Sequence, residues 1–114
     1  MSDCIFCKIA SGEIPSTIVY QDEKVIAFKD INPLAPVHIL IIPKQHMESL
    51  LDINSDNSSI VAHIFEKIAV IAENAGVEKN GFRVISNVGE DGGQAVKHLH
   101  FHILGGRKLE TSLG

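Results

Sequence analysis

Residues 98–106 read His-Leu-His-Phe-His-Ile-Leu-Gly-Gly, and half of the six histidines in the chain stand in this row. Strict alternation of this kind predicts a strand. Side chains at i, i+2 and i+4 of a strand share a face. His98, His100 and His102 are therefore expected on one face, with Leu99, Phe101 and Ile103 pressed into a core. Neutral imidazoles can ligate a metal, attack an electrophile or meet an anion; a wet surface asks none of this. Neighbouring positions are about 6.6–6.8 Å apart. Two imidazolium ions at that spacing repel by about 2.5 kcal/mol at an effective dielectric of 20. Most of the row is thus expected neutral near pH 7 unless an anion lies against it. A single ion is a poor fit to all three, because the outer two are about 13 Å apart. An extended chain of phosphate oxygens suits the row better.

The approach to the row points the same way. Gly89-Glu90-Asp91-Gly92-Gly93-Gln94-Ala95 is a glycine-rich turn. Successive main-chain N–H groups in such turns form anion-binding nests, although by itself the turn reads equally as a hairpin connection. Beside three histidines it suggests attack by a neutral imidazole on phosphorus, with main-chain and imidazole N–H groups stabilising the charge. A second constellation is Cys4-Ile5-Phe6-Cys7. This C-x2-C pair reads as packed thiols one helical turn apart, as half of a zinc site that needs two histidines, or as a redox pair. The last is disfavoured because no strand precedes it.

These residues must be carried by a small scaffold. The chain has 114 residues, 45% of them hydrophobic, and a formal charge of −4. The length predicts one domain over 1–114. The acidic balance argues against nucleic acid or an anionic membrane as the partner, and there is no apolar run long enough to span a bilayer. Met1-Ser2-Asp3-Cys4 lacks a signal-peptide pattern, so a cytoplasmic location with reduced cysteines is expected.

Asp3 is expected to cap a short helix over Cys4–Ala10, ended by Gly12. Strands are expected at Thr17–Tyr20, Lys24–Lys29, Val37–Ile42, Phe82–Val88 and the histidine row. The third is nearly all apolar, so it should be covered on both faces. A long helix is expected over Ser58–Ala75, stopped by Gly76. The order α-β-β-β-α-β-β predicts an α+β fold, a five-stranded antiparallel sheet with a short N-terminal helix and one long helix. Ile60–Ala75 holds eleven apolar residues in sixteen. His63, Glu66, Lys67, Glu73 and Asn74 occupy an arc of only about 120°. The apolar remainder exceeds one core contact, which predicts a homodimer with this helix at the interface.

"HLHFHIL", "DINPLAPVHILIIPKQH" and "ISNVGEDGGQAVKHLHFHILGGR" resemble the histidine triad (HIT) family, in its Hint branch of nucleoside phosphoramidate hydrolases. The likeness runs from about Cys4 to Arg107. It implies a hydrolase that cleaves the α-phosphate of a nucleoside monophosphate from its leaving group, in a phosphoramidate, acyl-adenylate or similar conjugate. His100 would be the nucleophile, and a purine monophosphate such as AMP would be released. His102 would bond the phosphoryl oxygens, His98 would orient its neighbours, and His38 matches an additional upstream histidine. Asp30 matches a ribose-binding acid. Asn87, Gly93, Gln94 and Ala95 match the phosphate surround, and Phe6, Ile9, Ile14, Phe28 and Ile31 match the base pocket. Relatives with the cysteine pair resemble zinc-binding members, which implies a structural Zn2+ on Cys4, Cys7, His46 and His98. Ala95 replaces a common serine, Lys97 a common tyrosine, and the tail lacks a tryptophan-containing ending. The loss of the hydroxyl leaves a non-catalytic or weakly catalytic purine nucleotide-binding module as the alternative.

Overall fold

A computed structural model describes residues 3–112; the readings at Met1 and Ser2, and at the last two residues of the tail, lie outside them. Five strands, β1 (Ile18–Gln21), β2 (Val25–Lys29), β3 (Val37–Pro43), β4 (Phe82–Ile85) and β5 (Phe101–Gly105), form one antiparallel sheet in the order β1-β2-β3-β5-β4. Helix α1 (Ile5–Ser11) and helix α2 (Ser59–Ala75) complete the α+β fold, with a 3-10 turn at Leu50–Asp52 that the sequence did not signal.

β3 explains how two faces are filled. Ile39 and Ile41 point into a core with Ile64, Ile68 and Ile71 of α2, while Leu40 and Ile42 pack with Phe6 and Ile9 of α1. Both faces are covered, so the strand is a continuous apolar run, as expected. His38 shares the α1 side with Leu40 and Ile42, since alternate residues share a face. The pairing Leu40↔His102 puts His102 there too. Leu99, Phe101 and Ile103 belong to the α2-side core. The division of the histidine row into two faces is therefore as the alternation predicts.

The extent of the strands differs. β5 begins at Phe101, so His98 and His100 precede the ladder. The Leu99 N–H bonds the Met47 carbonyl at 2.6 Å, and the His100 carbonyl accepts from Ser86 Oγ at 2.8 Å. These bonds stand where ladder bonds would continue. For the same reason β4 stops at Ile85 rather than Val88. The row is also not a wet surface: His98 and His100 are buried. At the N-terminus the cap is Cys4, not Asp3, with the Cys7 N–H donating to Cys4 Sγ at 3.4 Å. α2 runs to Gly76 as expected, where φ of 79° lets the chain turn off the helix.

α2 is held to the β1–β2 turn by a polar clamp. Asp22 Oδ2 accepts from Tyr20 Oη and His63 Nε2, both at 2.7 Å, while its Oδ1 accepts from the Lys24 and Val25 amides. Burial alone would raise the Asp22 carboxyl, but these four donors hold it well below the usual carboxylate range. The apolar stripe of α2 is wider than its core contact, since Phe65 is 55% exposed. Among the described residues no helix is long and apolar enough to cross a membrane.

Candidate active site

His100 lies just before β5, its ring edge-on to Phe6 at 5.1 Å between centroids. Its Nδ1 is 2.7 Å from the His98 carbonyl. A carbonyl only accepts, so Nδ1 carries a proton, and in the neutral ring Nε2 keeps its lone pair. This is the tautomer a nucleophile or anion partner needs. Ser86 Oγ donates to the His100 carbonyl and fixes the same peptide from β4. Nothing in the sequence marked Ser86, because a side chain bonding a distant main-chain oxygen has no local pattern.

His102 sits beside it, ring centroids 5.1 Å apart. Its Nδ1 is 3.0 Å from His38 Nε2, and Asp30 Oδ2 is 3.4 Å from the same His38 nitrogen. Burial pushes His38 and His102 down, with the nearby Asp30 charge opposing; for His102 the His100 and His38 charges add to burial and bring it to about 4. Both rings are thus neutral near pH 7. Asp30 Oδ1 accepts from the Asn32 N–H at 2.8 Å, so Asp30 shapes its turn and faces the histidines at once.

A lowered histidine pKa has a consequence for stability. The unfolded chain takes up the proton near pH 6.5, the folded one only near 4, so stability falls as pH drops through that window. Denaturant unfolding from pH 7 to 4 is expected to show this loss, with a shallower slope in His102→Gln. Parallel slopes in the two proteins would contradict it.

His98 turns elsewhere. Its Nδ1 is 3.3 Å from Cys4 Sγ, 3.6 Å from Cys7 Sγ and 3.2 Å from His46 Nδ1, and Cys7 Sγ is 3.3 Å from His46 Nδ1. A tetrahedral zinc ion with ordinary bond lengths separates nitrogen and sulfur ligands by about 3.3–3.6 Å. The four donor atoms therefore fit such a centre. His98 Nε2 donates to the Pro43 carbonyl at 2.8 Å, which frees Nδ1 for a metal in the usual way. Burial raises the Cys7 thiol, helped by the adjacent Cys4. Asp30, His38 and His102 form a second close group, but its ring nitrogens are already engaged with each other.

The remaining expected site residues divide. Phe6, Ile9 and Phe28 are packed in the α1-side core with Ile14 against them, whereas Ile31 is 89% exposed. Asn87 Nδ2 donates to the Gly92 carbonyl at 2.7 Å. Gly92 is crowded by the Val88 main chain, and Gly93 has φ of 77°, so both positions of the turn require glycine. The Gln94 side chain is fully committed, accepting from the Gly89 N–H and donating to the Glu48 and Val96 carbonyls. It braces the turn, which is closed further by main-chain bonds from the Gly93 N–H to the Glu90 carbonyl and from the Gln94 N–H to the Gly89 carbonyl. Ala95 is exposed. A cavity of about 520 Å3 opens on the α2 side, between Val19, Val37, Ile39 and Ile71, and shares Asp30 and His38 with the cluster.

An antiparallel five-stranded sheet carrying this histidine cluster defines the histidine-triad class of protein. The family described as "Scavenger mRNA decapping enzyme C-term binding" matches residues 3–112. The chain is 46% identical over 111 residues to the purine nucleoside phosphoramidase of Escherichia coli K12, covering 97% of this chain and 93% of that one. A HIT-like protein of Rickettsia prowazekii is 48% identical over 106 residues, 92% of this chain and 88% of its own. A histidine triad protein from Clostridium difficile superposes with a TM-score of 0.95 at 58% identity, covering 98% and 97% of the two chains. A HIT family hydrolase from Clostridium thermocellum gives 0.97 at 48%, covering 99% and 98%. The chain belongs to the histidine triad (HIT) family.

Proposed function

We propose that the chain is a nucleotide-conjugate hydrolase that uses His100 as its nucleophile. His100 Nε2 attacks the α-phosphorus, a P–N bond forms, and the bond from phosphorus to the leaving group breaks. Water then attacks the same phosphorus, the bond to Nε2 breaks, and a nucleoside monophosphate leaves with the imidazole restored. His102 bonds the phosphoryl oxygens, and the Ala95 main-chain N–H at the end of the turn is offered to them, the Gly93 and Gln94 N–H groups being spent on the Glu90 and Gly89 carbonyls. Asp30 holds the ribose hydroxyls, and Phe6, Ile9, Ile14, Phe28 and Ile31 border the purine. Ala95 has no hydroxyl, so the leaving group takes its proton from solvent.

The observation that carries this reading is the 2.7 Å bond from His100 Nδ1 to the His98 carbonyl, which occupies Nδ1 as a donor and makes Nε2 the lone-pair nitrogen of the neutral ring. The likeness to an enzyme named for purine nucleoside phosphoramidase activity supports the substrate class. The test is release of AMP from adenosine 5′-phosphoramidate under steady-state conditions. Turnover supports the enzyme. Tight AMP binding without turnover supports the second reading, a nucleotide-binding module, which the missing hydroxyl at Ala95 favours.

Cys4, Cys7, His46 and His98 would hold a zinc ion, whose part is structural: it ties α1 to the loops before and after the sheet strands. We also read the protein as a homodimer, on the exposed Phe65 of α2 and Val84 of the edge strand β4; sedimentation at the mass of one chain would refute that. The two free cysteines suit a reducing cytoplasm.

A further inference from the structure

The His100 ring is oriented by a carbonyl. The His102 ring has no such contact of its own, and its orientation is traceable to a different peptide. The loop 30–36 between β2 and β3 carries Leu34, whose side chain is 71% exposed. Its main chain is engaged on both sides: the N–H donates to His38 Nδ1 at 3.1 Å, and the carbonyl accepts from Arg107 Nη2 at 3.2 Å.

We propose that the main-chain amide of Leu34 is a positioning group that sets the tautomer of two histidines in series and so makes His102 a hydrogen-bond donor. An amide N–H can only donate, so His38 Nδ1 must accept and carries a lone pair. The single proton of the neutral His38 ring is then on Nε2. That nitrogen is 3.0 Å from His102 Nδ1, which must accept in turn. The single proton of neutral His102 is left on Nε2, the nitrogen not engaged with His38. Asp30 Oδ2, 3.4 Å from His38 Nε2, accepts only and favours the same arrangement. The Arg107 bond to the Leu34 carbonyl holds the next peptide of the same residue.

The inference rests on the reading of His102 as a phosphoryl-oxygen donor. If His38 and His102 were inverted, Nε2 of His102 would present a lone pair to an anionic oxygen, and a donor would become a repulsion. Leu34 is thus important for a group that no side-chain comparison would find, since any residue but proline supplies the amide.

Imidazole 15N NMR of the full chain near pH 7 reads the proton positions directly, with His38 and His102 assigned from single substitutions. In the wild type both rings should carry the proton on Nε2. In Leu34→Pro, which removes the N–H and fixes φ in an exposed loop that already holds two prolines, the His102 nitrogens should shift toward averaged or inverted values. Leu34→Ala, which keeps the amide, should retain the wild-type tautomers. With adenosine 5′-phosphoramidate, Leu34→Pro should lower kcat by about 10²-fold with a smaller change in KM. A His102 protonated on Nδ1 in the wild type overturns the proposal without any variant, as do wild-type tautomers in a folded Leu34→Pro. Tautomers as stated in a protein that turns over no phosphoramidate would sink the hydrolase reading and leave the role of Leu34 standing.

Discussion

His100→Ala is expected to abolish turnover, lowering kcat by about 10³-fold or more, while the protein still folds and still binds a nucleoside monophosphate. The magnitude follows from the role. A residue that forms the covalent bond cannot be replaced by its neighbours, and losing a nucleophile removes the whole two-step route. His102 cannot substitute, because its Nδ1 is tied to His38. Neither can His98, whose Nε2 is spent on the Pro43 carbonyl and whose Nδ1 faces the cysteines. The substitution also removes the ring that packs edge-on against Phe6, so a modest fall in Tm accompanies it. Binding of AMP by the variant, followed calorimetrically, separates lost chemistry from lost structure. A folded variant that retains a tenth of the wild-type kcat would remove His100 from the mechanism.

The second large effect is on stability. Stripping metal with a chelator, or replacing Cys4 and Cys7 together by serine, is expected to lower Tm by more than about 10 °C, given that each kcal/mol is worth roughly 4 °C in a domain of this size. Few contacts other than those of Phe6 and Ile9 hold the seven-residue α1 to the sheet. Without an ion, two imidazoles and two thiols are left crowded together at 3.2–3.6 Å. Catalysis should suffer less than stability in protein kept cold and folded, because the His98 carbonyl, not its ring, orients His100. Scanning calorimetry of metal-free and metal-replete protein decides this; equal Tm values would contradict a structural ion. Loss of all activity in folded, metal-free protein would instead put the ion in the chemistry.

The faces of the histidine row were legible because they depend only on a two-residue period. Its length was not. Whether His98 and His100 join the ladder is decided by Met47 and Ser86, residues 52 and 13 positions from Leu99, respectively, and no local pattern encodes those bonds. The same limit applies to β4, which leaves the sheet where Ser86 turns to His100. Half of the cysteine–histidine quartet announced itself through its spacing. His46 and His98 are 52 positions apart and come together only because Pro43 ends β3 against the approach to β5. Asp3 had the better capping chemistry, yet Cys4 takes the position because its sulfur accepts from Cys7. Ile31 stands exposed on the turn bent by Asp30, an exposure that the residue's apolar type does not encode and that leaves its part in the base pocket a proposal. The apolar excess of α2 was legible, and Phe65 is where it surfaces.

If His100 is the nucleophile, its free nitrogen becomes covalently loaded with the nucleotidyl group. Rapid mixing with adenosine 5′-phosphoramidate, a quench that preserves P–N bonds and peptide mass analysis test it. An added adenylyl mass is expected on the peptide that contains His100 during turnover, localised by fragmentation to that residue. Steady release of AMP with no such adduct, or an adduct on His98 or His102, would contradict it.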